Sequence, residues 1–306
     1  MKHLKKIIVI TILILFASSM IIYSEIVINS VKFSLDLCIN NLFPSMMSFL
    51  ILSGILENYG FVEIIGYLLK PIMTNIFHLN SNCAYIIILS MLTGSPSNSK
   101  YIKQLLELKK ITIEDANKIL LFSHFVNPIF IIGTVGTIFL GNKKLGFIIL
   151  ISHYISNIII GIFLRNKNKP KSTNVINPFE IQPNGFITTL SKTIKDTIDT
   201  LFLVFGTITS CLILSAIINK YFHFNPIFNG ILEITSGLKY TSMTNFNIIT
   251  KLLISSFFIS FGGISIHLQV ISILENKKIR YLPYFEARLL QGLISIIISY
   301  LLFIIL

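Results

Sequence analysis

Four apolar runs of membrane-spanning length constrain this chain's fold more than any other feature. They cover residues 7–23, 145–164, 198–218 and 287–306. A helix needs roughly 20 apolar residues to cross the hydrocarbon core of a bilayer. With 53% hydrophobic and 12% charged residues and a mean hydropathy of +0.79, the 306 residues have too little polar surface for a soluble domain. The sequence therefore predicts an all-α, polytopic helical protein with membrane lipid around it.

The basic character of the chain does not indicate a nucleic-acid partner. Its net charge is +12, but the basic residues lie in short clusters beside apolar segments. Proteins that read phosphates need a contiguous basic face, whereas clusters of this kind are typical of cytoplasmic loops. The three cysteines, Cys38, Cys83 and Cys211, have neither a disulfide framework nor zinc-site spacing.

The N-terminal region is predicted to hold one membrane span and one interfacial helix, together residues 1–41. Lysines and a histidine precede the first apolar run, which places the N-terminus in the cytoplasm of a multi-pass cell-membrane protein. The alternative is a cleaved signal peptide, with Ala17 in a weak cleavage motif. Residues 24–41 mix charged and apolar side chains at helical spacing, which is typical of a helix at the membrane surface.

Two stretches that lie 168 residues apart predict an internal repeat. Residues 91–111 read MLTGSPSNSKYIKQLLELKKI, and residues 259–279 read ISFGGISIHLQVISILENKKI. The identical pairs are Gly94/Gly262, Ser97/Ser265, Leu106/Leu274, Glu107/Glu275, Lys109/Lys277, Lys110/Lys278 and Ile111/Ile279. The word GILE also occurs twice, ending at Glu57 and at Glu233, in the same order relative to the glycine motifs. We expect repeats at 42–164 and 186–306, joined by a polar cytoplasmic linker at 165–185.

Glycine and proline interrupt both repeats, which predicts discontinuous helices and a site between them. Non-helical backbone at membrane depth survives only where protein or a wet cavity surrounds it, and transporters often place such breaks near the midplane. Serine and asparagine would suit a small polar solute that is hydroxylated or heterocyclic. The predicted lining consists of Gly94, Ser95, Pro96, Ser97, Asn98, Ser99, Lys100, Asn127, Gly262, Gly263, Ser265, His267 and Gln269. The alternative is that these small residues serve helix packing alone.

Two glutamates in apolar surroundings are candidates for coupling or gating. Glu57 and Glu233 would carry a proton or cation, because an ionisable group at membrane depth is costly to bury. The alternative places each at a helix end near the interface. His267 has no histidine or carboxylate three or four residues away, so no metal or cofactor is predicted. Ser97 and Lys100 match S-x-x-K, but no K-T-G partner occurs, so we expect no enzymatic activity.

Several of these motifs together resemble the YlbJ family of sporulation integral membrane proteins, which carry a nucleoside-recognition or Gate domain. The resemblance rests on LFPSMMSFLI at 42–51, GSPSNSK at 94–100, NPIFIIGTVG at 127–136, EITSG at 233–237, FGGISIHLQVISIL at 261–274 and ARLLQG at 287–292. In the first glycine motif Ser95 replaces the family's tyrosine, and Asn98 and Ser99 replace a Gly-Ala pair. The resemblance implies a role in building the spore cortex and a domain related to nucleoside transporters.

The leading hypothesis is a transporter-like protein in which two halves enclose a solute site and rock against each other. The alternative is a non-transporting scaffold that holds cortex-assembly proteins in the membrane.

Overall fold

The chain forms a bundle of α-helices interrupted by π-helical turns. The computed structural model describes residues 2–165, 183–222, 226–275 and 277–306, and no strand occurs among them. The first nine helices are α1 (Lys2–Ile22), α2 (Ser24–Leu37), α3 (Phe43–Asn58), α4 (Phe61–Leu68), α5 (Lys70–Ile72), α6 (Cys83–Thr93), α7 (Ser97–Glu107), α8 (Ile113–Leu120) and α9 (Lys143–Phe163). The others are α10 (Phe186–Phe222), α11 (Pro226–Leu232), α12 (Ile234–Met243), α13 (Ile248–Phe261), α14 (Gly263–Ile273) and α15 (Tyr281–Ile305). The π-helical segments are Cys38–Leu42, Met73–Phe77 and Phe130–Phe139.

Within the described part of the chain, four helical units are long and apolar enough to cross a bilayer. They are α9, α10, α15 and the combined unit Ile248–Ile273, which contains α13 and α14. Two bent pairs raise the number to six if each counts as one span. The first pair, Lys6–Ile22 with Ser24–Leu42, is bent by 89°, and the second, Met46–Asn58 with Phe61–Leu68, by 84°. The prediction of a polytopic all-α membrane protein is confirmed.

Residues from both ends of the sequence share the same hydrophobic cores. Tyr85 of α6 and Ile102 of α7 belong to one core together with Val270 of α14 and Tyr284 of α15. A second core joins α2, α3, α9 and α10 to α12 and α13. The division of the chain into repeats at 42–164 and 186–306 stays a prediction, and most of the predicted linker, residues 166–182, lies outside the described residues.

Four interruptions of helical backbone position the site. Residues 94–96 separate α6 from α7, and residues 121–129 separate α8 from the π-helical segment Phe130–Phe139. Glu233 separates α11 from α12, and Gly262 separates α13 from α14. Each interruption leaves backbone N–H and C=O groups outside the helical pattern, and at membrane depth these groups need partners within the protein.

Helix α10 lies beside the interruptions and is itself a single unbroken helix of 37 residues. The predicted amphipathic lead, residues 186–200, and the following apolar span form this one helix. It packs against α2, α3 and α14, and therefore contacts elements from both ends of the chain. At 1.5 Å per residue its length is about 56 Å, which exceeds the roughly 30 Å hydrocarbon core.

Candidate functional site

The first glycine break is held in place by the segment that follows α8. Gly94 has φ +82° and ψ 170°, a conformation that glycine alone adopts readily. The next residue, Ser95, donates its backbone N–H to the Phe125 carbonyl oxygen at 2.6 Å. Asn127 donates from Nδ2 to the Leu92 carbonyl oxygen at 3.0 Å and accepts from the Ile129 N–H at 2.8 Å. The two interruptions thus satisfy each other's backbone groups.

The second glycine break lies against the start of α12. Gly262 and Gly263 have φ +94° and +64°, and a Cβ atom on Gly263 would lie 3.2 Å from the Ile234 backbone nitrogen. Glu233, only 1% exposed, caps α12. Its carboxylate accepts from the Ser236 N–H at 2.8 Å and from the Thr235 hydroxyl at 3.0 Å. The cap and the positive end of the α12 dipole both stabilise the carboxylate.

A cavity of about 60 Å³ lies where these interruptions meet, and we call it the central cavity. The two glycine breaks contribute Ser95 and Ser265 to it. Its full lining is Leu42, Met46, Thr93, Ser95, Val126, Asn127, Phe130, Val204, Ile208, Glu233, Ile234, Thr235, Ser265, Ile266 and Gln269. A polar cavity needs about 10–15 Å³ to hold one water molecule, so this space would admit a few waters or one small ion. A solute of nucleoside size requires a more open state.

Five predicted site residues line the central cavity: Ser95, Asn127, Glu233, Ser265 and Gln269. Ser265 is 1% exposed and its hydroxyl has no hydrogen-bond partner. Gln269 donates from Nε2 to the Thr207 hydroxyl of α10 at 2.8 Å. The cavity therefore combines one carboxylate with hydroxyl and amide groups contributed by both parts of the chain.

The other predicted residues lie behind the cavity or elsewhere. Gly94, Pro96, Gly262 and Gly263 form the breaks themselves. Ser97, Asn98 and Ser99 are buried in the first turn of α7, where Asn98 accepts from the Ser95 hydroxyl at 3.2 Å. His267 faces an aromatic cluster: Nε2 donates to the Phe261 carbonyl oxygen and Nδ1 accepts from the Tyr281 hydroxyl, both at 3.1 Å. This is the environment of a satisfied interior histidine.

Lys100 and Glu57 line a different and larger cavity of about 350 Å³ between α3, α7 and α10, which we call the first vestibule. The Lys100 ammonium donates to the Asp196 carbonyl oxygen at 3.3 Å. Glu57, the penultimate residue of α3, accepts from the Gln104 amide. The Ser97 hydroxyl has no partner, so Ser97 and Lys100 do not form a nucleophile–base pair.

A buried polar network beside the breaks was not recognised from the sequence. Arg288 of α15 is fully buried; its guanidinium donates to the Leu121 carbonyl oxygen and to the side-chain oxygens of Asn157 and Gln291. His153 accepts from the Val126 N–H at 3.1 Å through Nε2, so Nδ1 carries the proton and donates to the Ser260 hydroxyl at 3.0 Å. The sequence signal that could have revealed this network is the occurrence of an arginine and a histidine inside apolar runs.

Charge in this interior is not balanced by direct ion pairs. The two ion pairs found among the described residues are Lys110–Glu63 and Lys277–Glu107, and neither includes Glu233 or Arg288. Within the same residues, no group of three or more His, Cys, Asp and Glu side chains is arranged to hold a metal.

The helices and the central cavity define a polytopic integral membrane protein with discontinuous helices. No family model matches the chain, and no solved structure matches it. The sporulation integral membrane protein YlbJ of Bacillus subtilis is 29% identical to it over 291 residues, an alignment that covers 82% of this chain and 71% of that protein. This similarity supports the resemblance to the YlbJ family that the sequence motifs indicate.

Proposed function

We propose that this protein acts in sporulation as a transporter-like protein that handles a small polar solute during formation of the spore cortex. We place it in the cell membrane with its N-terminus in the cytoplasm, and we propose no enzymatic activity. The name of the Bacillus subtilis relative supports the link to sporulation. The basic cluster at the N-terminus supports the orientation.

The observation that carries the proposed solute site is the central cavity. It lies between broken helices from both parts of the chain and contains the buried carboxylate of Glu233 and the unpartnered hydroxyl of Ser265. Polar groups inside a membrane protein are costly unless they have partners or a function. A solute with hydroxyl or amide groups, or a small cation, would supply the partners.

Glu233 is the proposed coupling group of this site. It lines the central cavity without a basic partner among the described residues. A proton or small cation that neutralises it would change the charge of the cavity, and a change of charge at the site would bias a rocking equilibrium between two states. Glu57, near the end of α3, accepts a hydrogen bond from Gln104 in the wide first vestibule. We propose an orienting role for it.

The test compares Glu233→Gln with Glu57→Gln in the sporulating host. We expect Glu233→Gln to reduce the yield of heat-resistant spores while the protein still inserts at its normal level, and Glu57→Gln to leave the yield nearly unchanged. A thermal-shift screen of the purified protein with nucleosides, amino sugars and short peptides would identify the solute class. Normal spore yield with both substitutions combined would contradict the solute site and favour a scaffold.

A further inference from the structure

Three cavities follow one another along α10. The first vestibule contacts Thr189, Lys192, Thr193 and Asp196 near the start of the helix. The central cavity contacts Val204 and Ile208. A third cavity of about 450 Å³, which we call the second vestibule, lies between α2, α10 and α12 and contacts Leu212, Ser215, Ala216 and Asn219.

The spacing of these contacts places them on a continuous face that winds slowly around the helix. Thr189, Thr193, Thr197, Thr200, Val204, Ile208, Leu212, Ser215 and Asn219 follow each other at intervals of three or four residues. Successive side chains at that spacing stand above one another. Their mean interval of about 3.75 residues exceeds the 3.6 residues of one α-helical turn, so the face turns by roughly 120° over its length. Opposite the first part of this face lie Ile198 and Phe202, which are 39% and 65% exposed and are placed to contact lipid.

The distance between the two vestibules matches the thickness of a membrane. Their midpoints on α10 lie near Lys192 and Ala216, which at 1.5 Å per residue are about 36 Å apart. The hydrocarbon core is about 30 Å thick. One vestibule therefore lies near each surface of the bilayer when α10 crosses it, and the central cavity lies between them.

The chemistry of the face differs on the two sides of the central cavity. Towards the first vestibule it carries threonine hydroxyls, and the hydroxyl of the fully buried Thr197 has no hydrogen-bond partner. Towards the second vestibule it carries Ile208, Cys211 and Leu212, all at most 5% exposed. The polar side offers hydrogen bonds to a moving solute or water, whereas the buried apolar side offers none.

We propose that this face of α10 is the wall of a continuous solute path that opens alternately to the two vestibules, with Val204, Ile208 and Leu212 forming its gate. This inference rests on the proposed function and extends it from a site to a route. The lining, which is rich in hydroxyl and amide groups, suits a small hydrogen-bonding solute without large apolar groups. The charged groups of the first vestibule, Lys100, Lys192, Glu57 and Asp196 among them, include both signs, so they do not select for one charge.

The experiment measures the reaction of single introduced cysteines with a charged thiosulfonate reagent that does not cross membranes. The background replaces Cys38, Cys83 and Cys211 by serine, and the reagent is added to one side of sealed vesicles at a time. We expect Thr193→Cys to react from one side only and Ser215→Cys from the other side only. Ile208→Cys, at the gate, should react slowest among the variants on this face.

Thr200→Cys and Phe202→Cys form the matched pair, because they lie two residues apart on opposite faces. A thiolate is the reactive species, and it forms only where water reaches the sulfur. We therefore expect Thr200→Cys to react at least about tenfold faster than Phe202→Cys. Where Thr193→Cys fails to insert, Thr189→Cys one turn earlier serves in its place.

Equal rates for the matched pair, or reaction of Thr193→Cys and Ser215→Cys from the same side, would overturn the path. These outcomes are independent of solute binding. A solute that shifts the melting temperature while both positions react from one side would leave the proposed site standing and the path refuted. The expected labelling pattern without any solute found would leave the path standing and the solute proposal unsupported.

Discussion

The two copies of the word GILE show how one sequence motif serves two environments. The first copy ends α3 at the rim of the wide first vestibule, where Glu57 accepts from the Gln104 amide and three lysines line the same space. The second copy ends α11, where Glu233 is 1% exposed and caps α12 beside the 60 Å³ central cavity. The difference teaches that the acidic residue alone does not define a buried site; Glu233 is buried because its carboxylate caps the next helix, whereas Glu57 caps none.

The glycines of the two copies give the largest expected difference. A Cβ atom on Gly230 would meet the ring of Phe258, which is 1% exposed. The backbone of Gly237 in α12 also lies close to Gly230. Overpacking a rigid core of this kind costs up to about 3 kcal/mol. On Gly54 the Cβ atom would meet only the side chain of Thr193 at the vestibule, for which we expect a loss of about 1 kcal/mol.

Thermal unfolding of purified Gly230→Ala and Gly54→Ala in detergent measures this difference. Gly206→Ala in α10 is the control, because nothing lies within 4 Å of its added Cβ atom and alanine favours the helix by roughly 0.5–1 kcal/mol. Equal losses of stability for Gly230→Ala and Gly54→Ala would contradict the view that the core around Phe258 is more rigid than the side chain of Thr193 at the vestibule.

Two asparagines give a smaller contrast between the same two regions. Asn127 is 5% exposed; one of its side-chain hydrogen bonds reaches the Leu92 carbonyl oxygen beside the first break, and the other accepts from the Ile129 N–H. Asn58 makes an equivalent pair of bonds with the backbone of Asn184, but in an exposed position. Unsatisfied buried groups cost about 1–3 kcal/mol, so we expect Asn127→Ala to lose about 2 kcal/mol and Asn58→Ala well under about 1 kcal/mol.

The measurement is the free energy of unfolding of both variants in one detergent. A loss for Asn58→Ala as large as that for Asn127→Ala would show that the vestibule is as tightly packed as the central cavity, contrary to this description.

Residue patterns predicted the membrane class and part of the site, because both depend on local signals. Apolar length identified α9, α10 and α15, and glycines that interrupt apolar stretches marked the breaks at Gly94 and Gly262. Glu233 was identified from its charge in an apolar run. The assignment of Lys100 and His267 to the same site was made from their nearness in sequence to the breaks, but helix direction carries Lys100 to the first vestibule and His267 to the aromatic cluster.

The remaining features depend on contacts between distant residues. The break before Ile234 contains neither proline nor glycine, and it forms where Glu233 caps α12 and Gly263 approaches the backbone. Arg288 reaches Leu121, 167 residues earlier in the chain. No local periodicity encodes such a partner. The alignment of vestibules along α10 likewise requires α2, α3 and α12 to be placed around it.

The most direct test of the central claim is a cross-linking measurement between the two glycine breaks. Ser95→Cys and Ser265→Cys, introduced together in the background without native cysteines, would both face the central cavity. We predict that a short bifunctional thiosulfonate joins them, whereas the pair Lys100→Cys and Ser265→Cys, which face different cavities, stays unlinked. Failure of the first pair to cross-link in a normally inserted protein, or equal cross-linking of both pairs, would contradict the account.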